Sequence, residues 1–230
     1  KVTDRLYLDG RARAVTGSTL ADFLIVPVEV GDTLLLAVVT TAVCVVISLP
    51  LSVIRARYTF RGHNVLAMLL LIPLILPPFV GAIAMKRFLG QFGVLNLGLE
   101  ELGFIDMSEA LPPDWLGSGF VGVVILQSLH LFPILYLNIS AALANIDPAY
   151  AQAARNLGAS RIQTFMRVTF PLLMPGLFAG GTIVFIWSFT DIGTPIIVGY
   201  EHLTPVTIFK ELANSEVNPR TYSLVFIMLS

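Results

Sequence analysis

The feature that most constrains this chain is a run of 22 residues without a charge, Thr33 to Ile54 (TLLLAVVTTAVCVVISLPLSVI), followed after a short basic turn by a second, Val65 to Met85. A helix of that length spans about 30 Å of hydrocarbon, and inside lipid only helices and closed barrels can satisfy their own backbone. Barrel strands would appear as segments of about ten residues with alternating polarity, which these runs lack. A third uncharged stretch, Trp115 to Ile146, contains a span expected at 120–143. A fourth span is expected at 172–190, and a fifth at 222–230 is cut short. The expected fold is all-α: a polytopic transmembrane helix bundle with four full spans and the start of a fifth. The ends, Lys1 and an apolar run of nine residues, suggest an internal piece of a longer multi-pass protein.

Composition agrees. Only 13% of residues are charged, about half of what a soluble domain carries. Fourteen Lys and Arg against 15 Asp and Glu leave no basic excess for nucleic acid. The single cysteine, Cys44, permits no internal disulfide.

Charge placement sets the orientation, since basic residues of short loops stay in the cytoplasm. Arg55, Arg57 and Arg61 lie between the first two spans, and Arg155, Arg161 and Arg167 between the third and fourth. Glu100, Glu101, Asp106, Glu109 and Asp114 separate spans two and three, and Glu201, Glu211 and Glu216 follow span four. Segments 55–64 and 144–171 are therefore placed inside, and 1–32, 86–119 and 192–221 outside.

Prolines 73, 77 and 78 interrupt the hydrogen-bond ladder of the second span, so neighbouring helices must cover the freed carbonyls. Gly176, Gly180 and Gly181 give the fourth span a small-residue face suited to close packing.

The inner segment 145–171, NIDPAYAQAARNLGASRIQTFMRVTFP, is too long and too patterned for a plain connector. Asp147 and Pro148 read as a helix start, Gly158 as its stop, and Ser160 as the cap of a second helix. Ile162, Phe165, Met166 and Val168 form an apolar stripe there between Arg161 and Arg167. Pro171 marks the expected turn back into the membrane.

The stretch AQAARNLGASRIQTFMRVTFP resembles the signature loop of the permease subunits of binding-protein-dependent ABC importers, Glu-Ala-Ala, three residues, Gly, nine residues, Ile-x-Leu-Pro. Ala153, Ala154, Gly158 and Pro171 occupy matching positions without a gap, Val168 and Phe170 stand for Ile and Leu, and Gln152 replaces the signature Glu. The resemblance implies that this loop, with Arg161, couples the permease to a separate ATPase subunit by docking in a groove on it. The turn RARYTFRG, the cluster LIPLILPPFVGAIA and SFTDIGTPIIVGY also resemble the iron(III)-type permeases, which commonly carry two fused halves. The family likeness implies an ATP-driven importer in the inner membrane of a bacterium, with an extracytoplasmic solute-binding protein, a second permease half and ferric iron as cargo. Thiamine, polyamines, phosphonate, sulfate and molybdate are the alternatives within the family.

The chain has no GxxxxGK[ST], so the energy must come from a partner. The reading is a transport subunit, not an enzyme, with no cofactor. His63, His130 and His202 fall in different compartments and do not converge with Cys44 on a metal. An ion-coupled secondary transporter would need intramembrane acids, and only Asp191 approaches that. Gln127, His130 and Asn138 share one face of the third span, either as interhelical hydrogen bonds or as lining of the translocation path. Asp191 is open to the same two readings, as a cap of the following turn or as a group of the path.

Overall fold

The computed structural model describes residues 2–58, 62–105, 111–117, 119–213, 224–226 and 228, with side chains described from Glu29 onward except at 63 and 64. The expected fifth span, 222–230, lies largely outside these residues, as do Arg61, Asp106, Glu109 and Glu216. Every described element is helical: α1 (Val2–Arg57), α2 (His63–Ile75), α3 (Pro78–Leu89), α4 (Val94–Glu101), α5 (Phe120–Asn145), α6 (Pro148–Asn156), α7 (Arg161–Thr164), a π turn (Phe165–Thr169), α8 (Phe170–Thr190), α9 (Gly193–Val198) and α10 (Thr204–Ala213).

Among the described residues, three runs are long and apolar enough to cross a membrane: Glu29–Arg57, Phe120–Asn145 and Arg161–Thr190. The region read from sequence as one helix over 65–85 is instead two, with Val65–Ile75 and Pro78–Glu101 bent by 104°. The cause is local. Pro77 and Pro78 remove two successive donors, and the residue before a proline is pushed out of the helical region. Leu76 accordingly sits at φ −82°, ψ 137°, and Pro78 opens α3.

Whether that broken pair crosses the bilayer follows from its neighbours. Cys44 Sγ donates to the Ser128 carbonyl (3.6 Å), Ser48 Oγ to Phe132 (2.8 Å) and Ser52 Oγ to Tyr136 (3.2 Å). The partners advance together by a constant separation of 84, so α1 and α5 run parallel and in step. The chain between them must return to the starting side, and the broken pair is that return. α8 runs the opposite way along α5, with Gly176 beside Ala142 and Ser188 beside Gln127.

The core has two parts. Leu36, Val123, Leu126, Leu203 and Val206 fill the outer half, and Cys44, Leu131, Phe132, Leu135, Tyr136 and Ile139 the inner half. Asn96, fully buried, pins the outer connection: Nδ2 donates to the Gln91 and Pro113 carbonyls (2.9 and 2.8 Å), and Oδ1 accepts from Trp115 Nε1 (2.6 Å). Thr204 N donates to Thr33 Oγ1 (3.0 Å), so α10 closes over the outer end of α1.

Candidate functional site

At the inner end, local sequence builds a hinged helix pair. Asp147 Oδ1 accepts from Ala149 N (2.8 Å), and Pro148 supplies the preset φ of a first helical residue. α6 stops in a Schellman motif: Gly158 N donates to the Arg155 carbonyl (2.9 Å) and Ala159 N to that of Ala154 (3.0 Å). Gly158 has φ +85°, which a side chain at this position would strain. Ser160 and Gln163 then form a capping box, Ser160 Oγ accepting from Gln163 N (3.2 Å) and Gln163 Oε1 from Ser160 N (2.9 Å).

The second arm differs from the expected short helix that ends at Pro171. Arg161–Thr190 is one continuous 30-residue run, so this arm is the first part of that candidate span itself. Pro171 does not turn the chain. Its ring would strike the carbonyl four residues back, and the preceding turn widens instead, with Phe170 N donating to the Phe165 carbonyl.

Exposure divides the pair into two faces. Tyr150, Leu157, Ile162 and Met166 are 59%, 88%, 74% and 58% exposed, a row of apolar groups with none of the described residues over them. Gln152, Ala153, Gly158, Arg161 and Pro171 are exposed as well, while Ala154, Val168 and Phe170 are half-buried.

Toward the outer half, Gln127 joins three helices. Its Oε1 accepts from Thr40 Oγ1 (3.3 Å) and Ser188 Oγ (2.6 Å), and its Nε2 donates to Asp191 Oδ2 (3.1 Å). The other Asp191 oxygen, Oδ1, accepts from Gly193 N (3.0 Å) and Thr194 N (3.4 Å), so the acid also fixes the start of α9. Beside this cluster lies a cavity of about 310 Å³ lined by Gln127, His130, Trp187, Thr190, Asp191 and Thr194.

The structure thus brings Gln127, His130 and Asp191 to one cavity and leaves Asn138 away from it. Asn138 lies about three turns further along α5. Its Nδ2 donates to the Ile134 carbonyl (2.9 Å), and its Cβ would lie 2.8 Å from a Cβ built on Gly180. Thr40 and Ser188 were not singled out from sequence. A second, outer cavity of about 560 Å³ is lined by Lys86, Arg87, Gln91 and Asp114. Separately, burial and the nearby Asp32 carboxylate push the Tyr200 phenol up from its ordinary value.

Residues 48–230 match the model of a family described as binding-protein-dependent transport system inner membrane component. The chain belongs to this family. It is 31% identical over 174 residues to a probable molybdenum ABC transporter permease protein of Haloferax volcanii, covering 75% of this chain and 60% of that one. It is 30% identical over 202 residues to a ferric transport system permease protein of Actinobacillus pleuropneumoniae, covering 87% of this chain and 28% of that one. A spermidine/putrescine transport system permease protein of Escherichia coli is 30% identical over 151 residues, 65% of this chain and 52% of that one. The chain therefore spans less than two thirds of the length of each of these relatives. Among solved structures, one of a bacterial ABC transporter involved in the import of the acidic polysaccharide alginate superimposes with a TM-score of 0.66 at 17% identity, over 90% of this chain and 74% of that one. An amino acid ABC transporter chain gives 0.59 at 15% identity, over 92% and 89%. The family places the chain in the inner membrane as a multi-pass transport component, distinct from the ATPase.

Proposed function

We propose that this chain is the membrane pathway of an ATP-driven importer: it receives a solute from an extracytoplasmic binding protein, passes it inward by alternating access together with a second permease half, and docks a separate ATPase subunit through residues 145–171. The observation that carries this reading is the hinged pair with its uncovered row of Tyr150, Leu157, Ile162 and Met166 at the arginine-rich end. Such a row suits an amphipathic helix seated in a groove. Gln152 offers an amide where the signature residue is acidic, so the apolar row would carry most of this contact.

Leu157→Glu tests it. The side chain is almost fully exposed, so the substitution leaves folding intact while placing a charge in the docking face. Loss of the ATPase subunit on co-purification is the expected result; full retention with coupled ATP hydrolysis would sink the assignment.

For the cargo, the cavity beside Gln127 favours a cation, ferric iron being the reading closest to the sequence resemblance. Asp191 is the one carboxylate or cationic side chain among its lining residues other than the imidazole of His130. In a low-dielectric surround an acid favours a positive solute and repels a negative one. An oxyanion such as molybdate is the second reading, favoured by Lys86 and Arg87 on the outer cavity and by the molybdenum permeases among the relatives. Uptake of radiolabelled iron against molybdate by the assembled importer separates the two.

A further inference from the structure

Two arginines in the last turn of α1 do more than orient the chain. Arg55 Nη1 donates to the Tyr136 hydroxyl (2.8 Å) and its guanidinium carbon lies 5.8 Å from that ring, which ties α1 to α5. Arg57 reaches the other way, its guanidinium carbon 5.7 Å from the centre of the Phe165 ring. Phe165 opens the π turn, and its ring packs in turn against Phe170 (6.2 Å between centroids). Phe165 is half-buried, whereas Ile162 and Met166 on the same stretch point away into the exposed row. One short segment therefore meets a partner on one side and α1 on the other.

Keeping the loop inside is a task any solvated cation performs. A charge serving only that end requires no contact with a particular ring, and changing Phe165 would then have no consequence.

We propose that Arg57 is a positioning residue for ATPase coupling: stacked on Phe165, it makes the cytoplasmic end of α1 follow the helix pair when the ATPase moves it. This rests on residues 145–171 docking the ATPase. The route onward is material. α1 is joined to α5 through Ser52, Ser48 and Cys44, and Thr40 then meets Gln127, which holds Asp191 at the cavity. A push at Phe165 has a continuous hydrogen-bonded seam along which to reach the outer half.

The test uses the complete importer, with its ATPase subunits and binding protein, reconstituted in vesicles, and compares Arg57→Gln, Phe165→Leu and the double variant. The ATPase subunit stays bound in all three. Solute taken up per ATP hydrolysed falls about two- to five-fold in each single variant, the factor an exposed cation–π contact is worth. The double variant is no worse than either single, because one contact is lost once. Arg57→Lys, which keeps the charge but stacks less well, falls between wild type and Arg57→Gln. Unchanged uptake per ATP in both singles, or effects that add in the double variant, overturns the role of Arg57. If Leu157→Glu releases the ATPase while Arg57→Gln leaves the ratio untouched, the docking reading stands and this proposal falls. If Leu157→Glu keeps the ATPase and full coupling, the docking reading itself falls.

Discussion

Gln127 concentrates into one amide the polar contacts that hold the outer half together, accepting from α1 and α8 and donating to Asp191 while only 2% exposed. Gln127→Leu strands two hydroxyls and a carboxylate oxygen together. With about 1–3 kcal/mol for each buried group left unpaired, discounted because membrane hydrogen bonds average about 0.6 kcal/mol, the variant unfolds several degrees lower in detergent. A melting curve unchanged from wild type would contradict the hub role. Asp191→Asn keeps the oxygen that caps Gly193 and Thr194 but loses the charge. Assembly is retained and uptake of a cationic solute drops; wild-type uptake in whole cells would remove Asp191 from the path. The polar residues Gln127, His130 and Asp191 were legible because such groups are rare in apolar runs. Their hydroxyl partners were not. Thr41, Thr182 and Thr190 bond back to carbonyls of their own helices, four residues earlier, while Thr40 and Ser188 reach across. Nothing in a lone sequence distinguishes the two behaviours.

At the scale of elements, what is local was readable and what depends on packing was not. The caps of the inner pair, Asp147, Gly158 and Ser160, are set by residues within a few positions of one another, and the structure places them as caps. The break at Leu76–Pro78 was visible as a proline cluster, but the angle it takes depends on α3 resting against α5 and α9. The π turn before Pro171 was invisible, because the sequence there reads as ordinary helix. The glycine face resolves into two roles. A Cβ on Gly176 would lie 2.5 Å from Ala142 Cβ and one on Gly180 2.8 Å from Asn138 Cβ, whereas on Gly181 the nearest atom, in Thr41, is 3.9 Å away. Gly176→Val therefore forces α5 and α8 apart and costs about 1–3 kcal/mol, and Gly181→Ala is neutral. Thermal unfolding of both variants checks this; equal loss in the two would show that close approach of α5 and α8 is not what these glycines serve.

At the scale of the molecule, a few placed charges and a polar seam turn a set of apolar helices into a transmission. The constant separation along Cys44, Ser48 and Ser52 makes α1 and α5 a parallel unit, α8 returns antiparallel, and the same continuous run carries the second arm of the hinged pair proposed to dock the ATPase. A movement of that arm moves a whole span. The docking proposed for residues 145–171 makes ATP on a partner subunit, not an ion gradient, the source of that movement. The direct measurement is uptake by the complete importer in vesicles whose proton and sodium gradients have been collapsed. Uptake is expected to start with ATP on the ATPase side and to stop with Leu157→Glu; uptake that ignores ATP and follows a restored ion gradient would contradict ATP coupling through residues 145–171.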